Sequence, residues 1–196
     1  MPKVVDHEQR RGELAAAVWR LASQEGLEAV TVRRVAAEAG WSTGALVHYF
    51  PDKEALVVFA FETVADRVGA RVVRAAEGLS DPLELARVQL VEGLPLDAAR
   101  RAEMRVWFAF LGLALARPEL ARAQRDAYRA WRGRLAKTLR RAQAQGSIDP
   151  SVDPEREAAA LVALTDGLAV QAAFAPRALP AARQLELLDE RLERLR

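Results

Sequence analysis

The side chains most often used for catalysis and metal binding are scarce in this sequence. It contains two histidines, His7 and His48, and no cysteine, which excludes thiolate metal sites, a cysteine nucleophile and disulfides. It also has no HExxH metal motif, no phosphate-binding glycine loop and no GxSxG nucleophile turn. The scattered Asp and Glu residues do not define an acid-base pair by their spacing. We therefore predict a protein that is not an enzyme and needs no cofactor.

The stretch Thr31–Lys53, TVRRVAAEAGWSTGALVHYFPDK, has residue types and spacing suited to DNA contact. Thr31 is a good helix N-cap, and Gly40 can take the left-handed conformation that ends a helix. Ser42 can cap a second short helix. Three of that helix's residues should point into a small core: Leu46, Tyr49 and Phe50. The residues expected to face outward are mostly small: Thr43, Gly44, Ala45, Val47 and His48. A slim helix held by a glycine turn predicts a helix-turn-helix, which fits the roughly 12 Å major groove of B-DNA.

The run from residue 31 to 56, TVRRVAAEAGWSTGALVHYFPDKEAL, resembles the DNA-binding core of the TetR family of bacterial transcriptional regulators. The resemblance rests on the whole run: a helix ending in Ala-Gly, an STG start, an aromatic HYF, and a Lys that opens the next helix. It implies a homodimer that places two copies of the 42–49 helix in successive major grooves of a palindromic, double-stranded operator. The residues implied to face base edges are Thr43, Gly44 and Val47. Those implied to hold phosphates are Thr31, Ser42, His48, Tyr49 and Lys53.

Two arginines at the start of the supporting helix are further DNA-binding candidates. Arg33 is the better candidate for reaching a base, because Arg can bond guanine bidentately, and Arg34 could instead only face solvent. Tyr49 could belong purely to the core, and Thr31 could be only a helix cap. Val47 departs from many family members, where the residue is larger or polar, so contact there would be limited to a thymine methyl group.

Length and composition agree with a soluble globular protein. The 196 residues are enough for one or two domains, with 51% hydrophobic and 29% charged residues. The formal net charge is only +2, so DNA binding must depend on where Arg and Lys lie. Lys3, near the start, is a further candidate for phosphate contact. The N-terminus lacks an apolar signal core, and no uninterrupted apolar run approaches the roughly 18 residues that span a bilayer. We expect a cytoplasmic protein with no membrane contact.

The whole sequence shows helical patterns and no strand pattern. We predict an all-α protein of about nine helices. A three-helix helix-turn-helix domain would cover residues 1–51, and a larger effector and dimerisation bundle would cover 52–196. The stretch Met104–Ala116, MRVWFAFLGLALA, is apolar on nearly every face and predicts a helix buried at the bundle's centre. The last helix has leucines at the spacing of a packing seam: Leu185, Leu188, Leu192 and Leu195. We expect the last two helices to pair with a second copy as a four-helix bundle.

The C-terminal half, from Trp107 to the stretch LVALTDGLAVQAAF, is similar to the effector domain of the BetI-type branch of the TetR family, named for regulators of choline and betaine metabolism. The implied effector pocket is lined by Phe59, Met104, Trp107, Phe108, Leu111, Tyr128, Trp131 and Asp166. The aromatic residues and three nearby acids, Glu92, Glu103 and Asp166, would suit a cationic or amphipathic aromatic molecule, because ring faces attract cations. An aromatic stripe at helical spacing can also be plain core, and that alternative stays open for each residue.

These observations predict a homodimeric transcriptional regulator, a repressor that leaves its operator when a small-molecule effector binds. The alternative is a helical ligand-binding or protein-interaction dimer without operator-specific DNA binding. Specific binding to the DNA upstream of its own gene would distinguish the two.

Overall fold

The computed structural model describes residues 7–196, and this part of the chain is entirely helical. Its α-helices are α1 (His7–Glu25), α2 (Val32–Ala39), α3 (Thr43–Val47), α4 (Lys53–Ala75), α5 (Pro82–Val91), α6 (Ala98–Ala116), α7 (Pro118–Ala144), α8 (Pro154–Phe174) and α9 (Ala181–Glu193). One turn of 3-10 helix, Leu27–Ala29, separates α1 from α2. The prediction of an all-α fold with about nine helices is confirmed over the described residues.

Side-chain caps fix where these helices begin. The hydroxyl of Thr31 accepts a hydrogen bond from the Arg34 amide at 3.3 Å, and the hydroxyl of Ser42 accepts one from the Ala45 amide at 3.2 Å. Aspartates cap four later helices in the same way: Asp52 before α4, Asp81 before α5, Asp97 before α6 and Asp153 before α8. Each bond satisfies an amide that the helix itself leaves without a partner.

The chain forms two compact units. The first unit runs to Arg67 and also contains Arg105–Gln124, and the second contains Val68–Met104 and Arg125–Arg196. In the first unit, α1 packs against α2, and α2 packs against α3. An ion pair between Arg20 Nε and Glu38 Oε1, at 2.5 Å, joins α1 to the last turn of α2. The predicted functional division at residue 51 stays a prediction.

In the second unit, helices α5, α7, α8 and α9 share one hydrophobic core. Its fully buried leucines include Leu90, Leu94, Leu135, Leu139, Leu161 and Leu188. Burying each such side chain stabilises the fold by roughly 1.5–3 kcal/mol relative to leaving it exposed. The Arg87 guanidinium adds a bidentate bond to the Asp189 carboxylate, at 2.6 and 2.9 Å, between α5 and α9.

The leucine seam of α9 is covered by its own chain. Leu188, Leu192 and Leu195 are all buried in the core of the second unit, where α9 packs against α5 and α8. The expectation that this seam leaves apolar surface for a second copy is therefore wrong for these three leucines. Helix α8 instead exposes apolar surface, with Phe174 85% exposed.

Helix α6 is buried along one stripe only. Val106, Phe110 and Ala114 lie one turn apart and are buried, whereas Leu115 is 92% exposed. The prediction that α6 is enclosed on all sides is therefore wrong. The exposed side of α6 also carries Ala109 and Gly112, which have little apolar surface to bury. The sequence pattern therefore predicted more burial for α6 than the structure shows.

Helix α8 is the one described helix that is long and apolar enough, by length and composition alone, to cross a membrane. In this fold its residues Leu161, Val162 and Leu168 are buried in the core of the second unit. The Thr165 hydroxyl donates a hydrogen bond to the Leu161 carbonyl at 2.9 Å, which satisfies this buried polar group within the helix. Packing between helices thus explains part of the apolar character of α8.

Candidate nucleic-acid interface and effector site

The turn between α2 and α3 fixes the direction of the predicted reading helix. Gly40 has φ +71°, a left-handed conformation that side chains other than glycine adopt at a cost. The Trp41 amide then donates to the Ala36 carbonyl at 2.8 Å, which closes the end of α2. Because Ser42 caps α3 immediately afterwards, the chain turns from α2 into α3 within a few residues.

The outer face of α3 carries the predicted base-reading residues. Thr43, Gly44 and Val47 are all exposed, and Val47 is 49% exposed. Leu46 is fully buried on the opposite side of the helix. The space around Gly44 is open, with no atom of another residue near the position of an added Cβ. This face is therefore narrow and free of obstruction, as entry into a major groove requires.

Tyr49 lies on the surface, which corrects the prediction that it points into the core. It is 38% exposed, and its ring meets the Trp41 ring edge-on at a centroid distance of 5.5 Å. The Arg10 guanidinium lies 5.3 Å from the Trp41 ring centroid. Of the three predicted core residues, only Leu46 and Phe50 are buried. The Tyr49 hydroxyl is thus left at the same surface as the exposed neighbour His48.

The two arginines at the start of α2 differ in their partners. Arg34 makes a bidentate ion pair with Glu25, at 2.8 and 2.5 Å. The hydrogen bond with Glu25 raises the pKa of Arg34, and the same bond lowers the pKa of the Glu25 carboxyl. The Arg33 side chain is exposed and makes no ion pair or hydrogen bond with any described residue. Arg33 is therefore the arginine of this pair that is available to a base or a phosphate.

Lys53 lies at the first residue of α4. Its Nζ is 3.1 Å from Glu28 Oε2, and both side chains are well exposed to solvent. An exposed pair of this kind contributes at most about 1 kcal/mol, so a phosphate could replace Glu28 at little cost. Lys3 lies outside the described residues.

Of the predicted effector residues in the first unit, Trp107 belongs to a ring cluster that the sequence did not indicate. Phe61 stacks on Phe110 at 4.1 Å and lies 4.9 Å from the Trp107 ring. Phe59 instead packs against Phe50 at 5.0 Å, at the start of α4. The remaining predicted residues here, Phe108 and Leu111, are half-buried on α6.

In the second unit, Tyr128 bonds Asp166, whereas Trp131 lies beside Thr165. The Tyr128 hydroxyl donates a hydrogen bond to Asp166 Oδ2 at 2.6 Å, between α7 and α8. The Trp131 ring lies beside Thr165, because a Cβ added to Gly93 would be 3.2 Å from both of these side chains. Burial raises the pKa of the Asp166 carboxyl, and the bond from Tyr128 only partly offsets that shift. Met104 is half-buried in the same unit.

Glu92 and Glu103 already have cationic partners, which corrects their proposed role as acids for a ligand. Arg71 donates to both Glu103 oxygens, at 2.8 and 2.6 Å, and to Glu92 at 2.7 Å. Arg100 bonds Glu92 at 2.5 Å. Burial alone would raise the pKa of Glu92, but the hydrogen bonds from Arg100 and Arg71 hold that pKa below its ordinary value. A second cation near Glu92 and Glu103 would face two arginines.

The amino-acid sequence matches two family models along most of its length. Residues 14–58 match the model of bacterial regulatory proteins of the tetR family. Residues 82–196 match the C-terminal model of BetI-type transcriptional repressors. The chain belongs to the TetR family. The predicted resemblance is thereby confirmed, and so is the prediction of a transcriptional regulator that is not an enzyme.

Regulators from several bacteria are similar to this chain over most of their lengths. The chain is 35% identical over 176 residues to the HTH-type transcriptional regulator PksA of Bacillus subtilis (strain 168), covering 90% of this chain and 84% of PksA. It is 31% identical over 199 residues to the HTH-type transcriptional regulator BetI 1 of Chromohalobacter salexigens, covering 99% and 96%. A solved transcriptional regulator from Saccharomonospora viridis, in complex with choline, is 25% identical with a TM-score of 0.80, covering 95% of this chain and 97% of that one.

Three residues of this TetR-family regulator were missed by sequence reasoning. Phe61 could have been found, because it lies two residues from Phe59 and must therefore face another side of α4. Arg71 and Gln124 gave no signal, since a charged or amide residue in an amphipathic helix is usually solvated. Their burial depends on contacts between helices that sequence spacing does not fix.

Proposed function

We propose that this TetR-family regulator is a repressor that binds a palindromic operator as a homodimer and releases it when an effector binds. The observation that supports DNA reading is the narrow exposed face of α3, together with the exposed Arg33 of α2, whose side chain has no partner among the described residues. Two copies of α3 would enter successive major grooves about 34–36 Å apart. Thr43, Gly44 and Val47 would approach base edges. The phosphate contacts would come from Thr31, Ser42, His48, Tyr49 and Lys53, with Arg34 as a further donor.

The homodimer would form through the last two helices, with α8 supplying the apolar contact. Ala160, Ala163, Val170 and Phe174 are exposed and recur at three-, four- or seven-residue spacing, which places them on one face of α8. The exposed residues of α9 include charged ones such as Arg183, Glu186 and Glu190, which suits the rim of such an interface. A cytoplasmic location follows from the proposed contact with bacterial DNA.

The effector would be a small organic cation held by the Tyr128, Trp131 and Asp166 group. Asp166 has no cationic partner among the described residues, unlike Glu92 and Glu103, and its carboxylate accepts a hydrogen bond from the Tyr128 hydroxyl. Aromatic faces and a partly buried carboxylate are the features that bind quaternary ammonium groups. The choline in the Saccharomonospora viridis regulator supports this class of ligand.

Operator binding is tested with the DNA upstream of the protein's own gene. Fluorescence anisotropy over a range of salt concentrations should show specific binding by the wild type. Lys53→Ala should weaken binding to all sequences and reduce the salt slope by about one, because one phosphate contact is lost. Lys137→Ala is the matched control, since Lys137 is exposed on α7, far along the chain from α2 and α3. An unchanged affinity and slope for Lys53→Ala would remove Lys53 from the interface, and a wild type that ignores this DNA would refute the repressor proposal.

The effector class is tested by calorimetric titration of the protein with choline and related quaternary amines. Binding of a cation that also releases the operator complex is expected. If every cation failed while a neutral or anionic compound bound and released the operator, the cation proposal would be wrong but the regulator proposal would stand.

A further inference from the structure

Trp41, in the turn between α2 and α3, contacts both α1 and a residue proposed to bind DNA. The Arg10 guanidinium of α1 lies 5.3 Å from the Trp41 ring centroid, within the range of a cation–π interaction. The Tyr49 ring meets the same indole edge-on at 5.5 Å. Arg10 and Trp41 are both half-buried, as expected when the methylene stem of an arginine covers an aromatic ring. One indole thus holds a cation from α1 and the ring of a proposed phosphate contact.

The Arg10 side chain makes no ion pair or hydrogen bond with any described residue, so the ring is its one described anchor. Glu13, one turn later on α1, is held by neutral donors instead. Its two carboxylate oxygens accept hydrogen bonds from the Gln9 amide at 3.0 Å and from the Trp41 indole N–H at 3.4 Å. A guanidinium carries five N–H donors, and those of Arg10 are available to an acceptor from outside the chain.

Arg10 is held beside the surface that would face the operator backbone. Trp41 directly precedes Ser42, which is exposed and caps α3. Ser42 and Tyr49 are two of the proposed phosphate contacts, and Trp41 adjoins the first in the chain and the second in space. A cation placed on this indole therefore lies next to two groups that would approach phosphates.

We propose that Arg10 binds a phosphate of the operator backbone and that Trp41 is the residue that positions it. A guanidinium can bond two phosphate oxygens at once. The ring contact restricts a long side chain before DNA arrives, so less conformational freedom is lost on binding. A phosphate contact adds affinity without sequence preference. This assignment rests on the proposed function in taking α3 as the helix that enters the groove, and it extends the interface to α1.

Arg11, the next residue, is a matched control with the same charge on another side of α1. Its guanidinium lies 3.7 Å from the Glu62 carboxylate and 5.2 Å from the Phe59 ring centroid, and both partners are on α4. Replacing either arginine with Gln removes one positive charge from the same helix turn. The difference between Arg10→Gln and Arg11→Gln therefore measures a local contact rather than the loss of net charge.

The first test measures binding to the DNA upstream of the gene by fluorescence anisotropy over a range of salt concentrations. Arg10→Gln should weaken binding and reduce the salt slope by about one, because one phosphate contact is lost. Arg11→Gln should have a clearly smaller effect on the slope. Equal effects of the two variants would overturn the proposal, and so would an unchanged slope for Arg10→Gln.

The second test asks whether Trp41 positions Arg10. Trp41→Leu keeps an apolar side chain in the turn and removes the ring, so Arg10→Gln should then weaken binding by a smaller factor than it does in the wild type. Trp41→Phe, whose ring attracts cations less than an indole, should give an intermediate factor and replaces Trp41→Leu if that variant does not fold. The same factor in every background would overturn the positioning role of Trp41.

A wild type without preference for the upstream DNA would refute operator-specific repression, and the Arg10 contact would then be decided on a random-sequence duplex of the same length at low salt. A phosphate contact does not depend on base sequence, so Arg10→Gln should again weaken binding more than Arg11→Gln. Equal weakening on that duplex would overturn the Arg10 assignment alone. A wild type that binds no duplex at low salt would overturn both proposals.

Discussion

At the scale of single residues, the candidate DNA contacts differ in whether an existing ion pair must be broken when DNA binds. Arg34 is held by two hydrogen bonds from its guanidinium to Glu25, and Lys53 is paired with Glu28. Arg33 has no such partner among the described residues, so its guanidinium can contact DNA without breaking an existing pair. Arg33 should therefore contribute more to operator affinity than its neighbour in the sequence.

Replacing Arg33 with Ala is predicted to lower operator affinity by about 1–3 kcal/mol if Arg33 reads a guanine, and to relax base preference at one position of each half-site. The measurement is binding to the operator and to a set of single-base variants. Arg122→Ala is the control, because Arg122 is exposed on α7. Equal loss on every DNA sequence would instead assign Arg33 to a phosphate.

The Asp166 carboxyl should make cation binding depend on pH. Burial raises its pKa, and only the ionised form attracts a cation, so affinity should fall as pH is lowered through that raised pKa. Titrations at several pH values should show this fall in the wild type. They should show weak and pH-independent binding in Asp166→Asn.

Lowering the pH weakens cation binding, but in the absence of ligand the raised pKa of Asp166 makes low pH favour the folded state. The folded protein holds the Asp166 proton to higher pH than the unfolded chain does. This contribution therefore favours folding at low pH and is lost as pH rises from the unfolded to the folded pKa. If the wild type binds a cation with the same affinity below and above the raised pKa of Asp166, Asp166 is excluded as the counter-ion of the ligand.

Some residue roles could not be predicted from sequence. The exposed face of α3 follows from helical spacing, and Thr43, Gly44 and Val47 were placed correctly on the surface. Tyr49 was not, because it follows the last residue of α3, where the helical period no longer applies. Glu92 and Glu103 were read as free acids, since nothing in the sequence shows that Arg71 reaches them from another helix.

At the scale of elements, a buried charge cluster connects three helices of the second unit. Arg71 on α4, Glu92 at the end of α5 and Glu103 on α6 share five hydrogen bonds with one another and with Arg100. Both glutamates are buried. Such a cluster is costly to break on one side only, because an unpaired charge would then remain in the interior.

Arg71→Met is predicted to destabilise the fold by about 3 kcal/mol, because Glu103 loses its bidentate partner in a buried site. Replacing both Arg71 and Glu103 with Met should recover much of that loss. The measurement is urea unfolding, and the control is Arg129→Met, where the pair with Asp126 is exposed and worth less than about 1 kcal/mol. A single variant as stable as the wild type would show that the fold does not depend on the bond between Arg71 and Glu103.

Helix boundaries were the most predictable feature at this scale. The N-caps at Thr31, Ser42, Asp81 and Asp153 act over two or three residues, so the sequence contains all the information needed. The packing of α6 and α9 depends on residues far away in the sequence. For this reason, α6 is less buried than the sequence predicted. The α9 leucines are more buried by their own chain than the sequence predicted.

At the scale of the whole molecule, dimerisation should require the apolar face of α8. Phe174→Glu is predicted to weaken the dimer and, with it, operator binding, because a charge would replace the largest exposed ring on that face. Sedimentation over a range of protein concentrations would measure the effect. Leu115→Glu is the matched control, since Leu115 is equally exposed but lies on α6. A Phe174→Glu dimer as tight as the wild type would place the interface elsewhere.

The first turn of α4 holds two adjacent residues with opposite charges and different partners. Lys53 is paired with Glu28, which lies just before α2 in the chain. Glu54 accepts a hydrogen bond from the Arg117 guanidinium at 2.8 Å. Arg117 is the single residue between α6 and α7. A displacement of the α6–α7 corner would therefore move Glu54, the residue next in the chain to the lysine proposed to contact the operator phosphates.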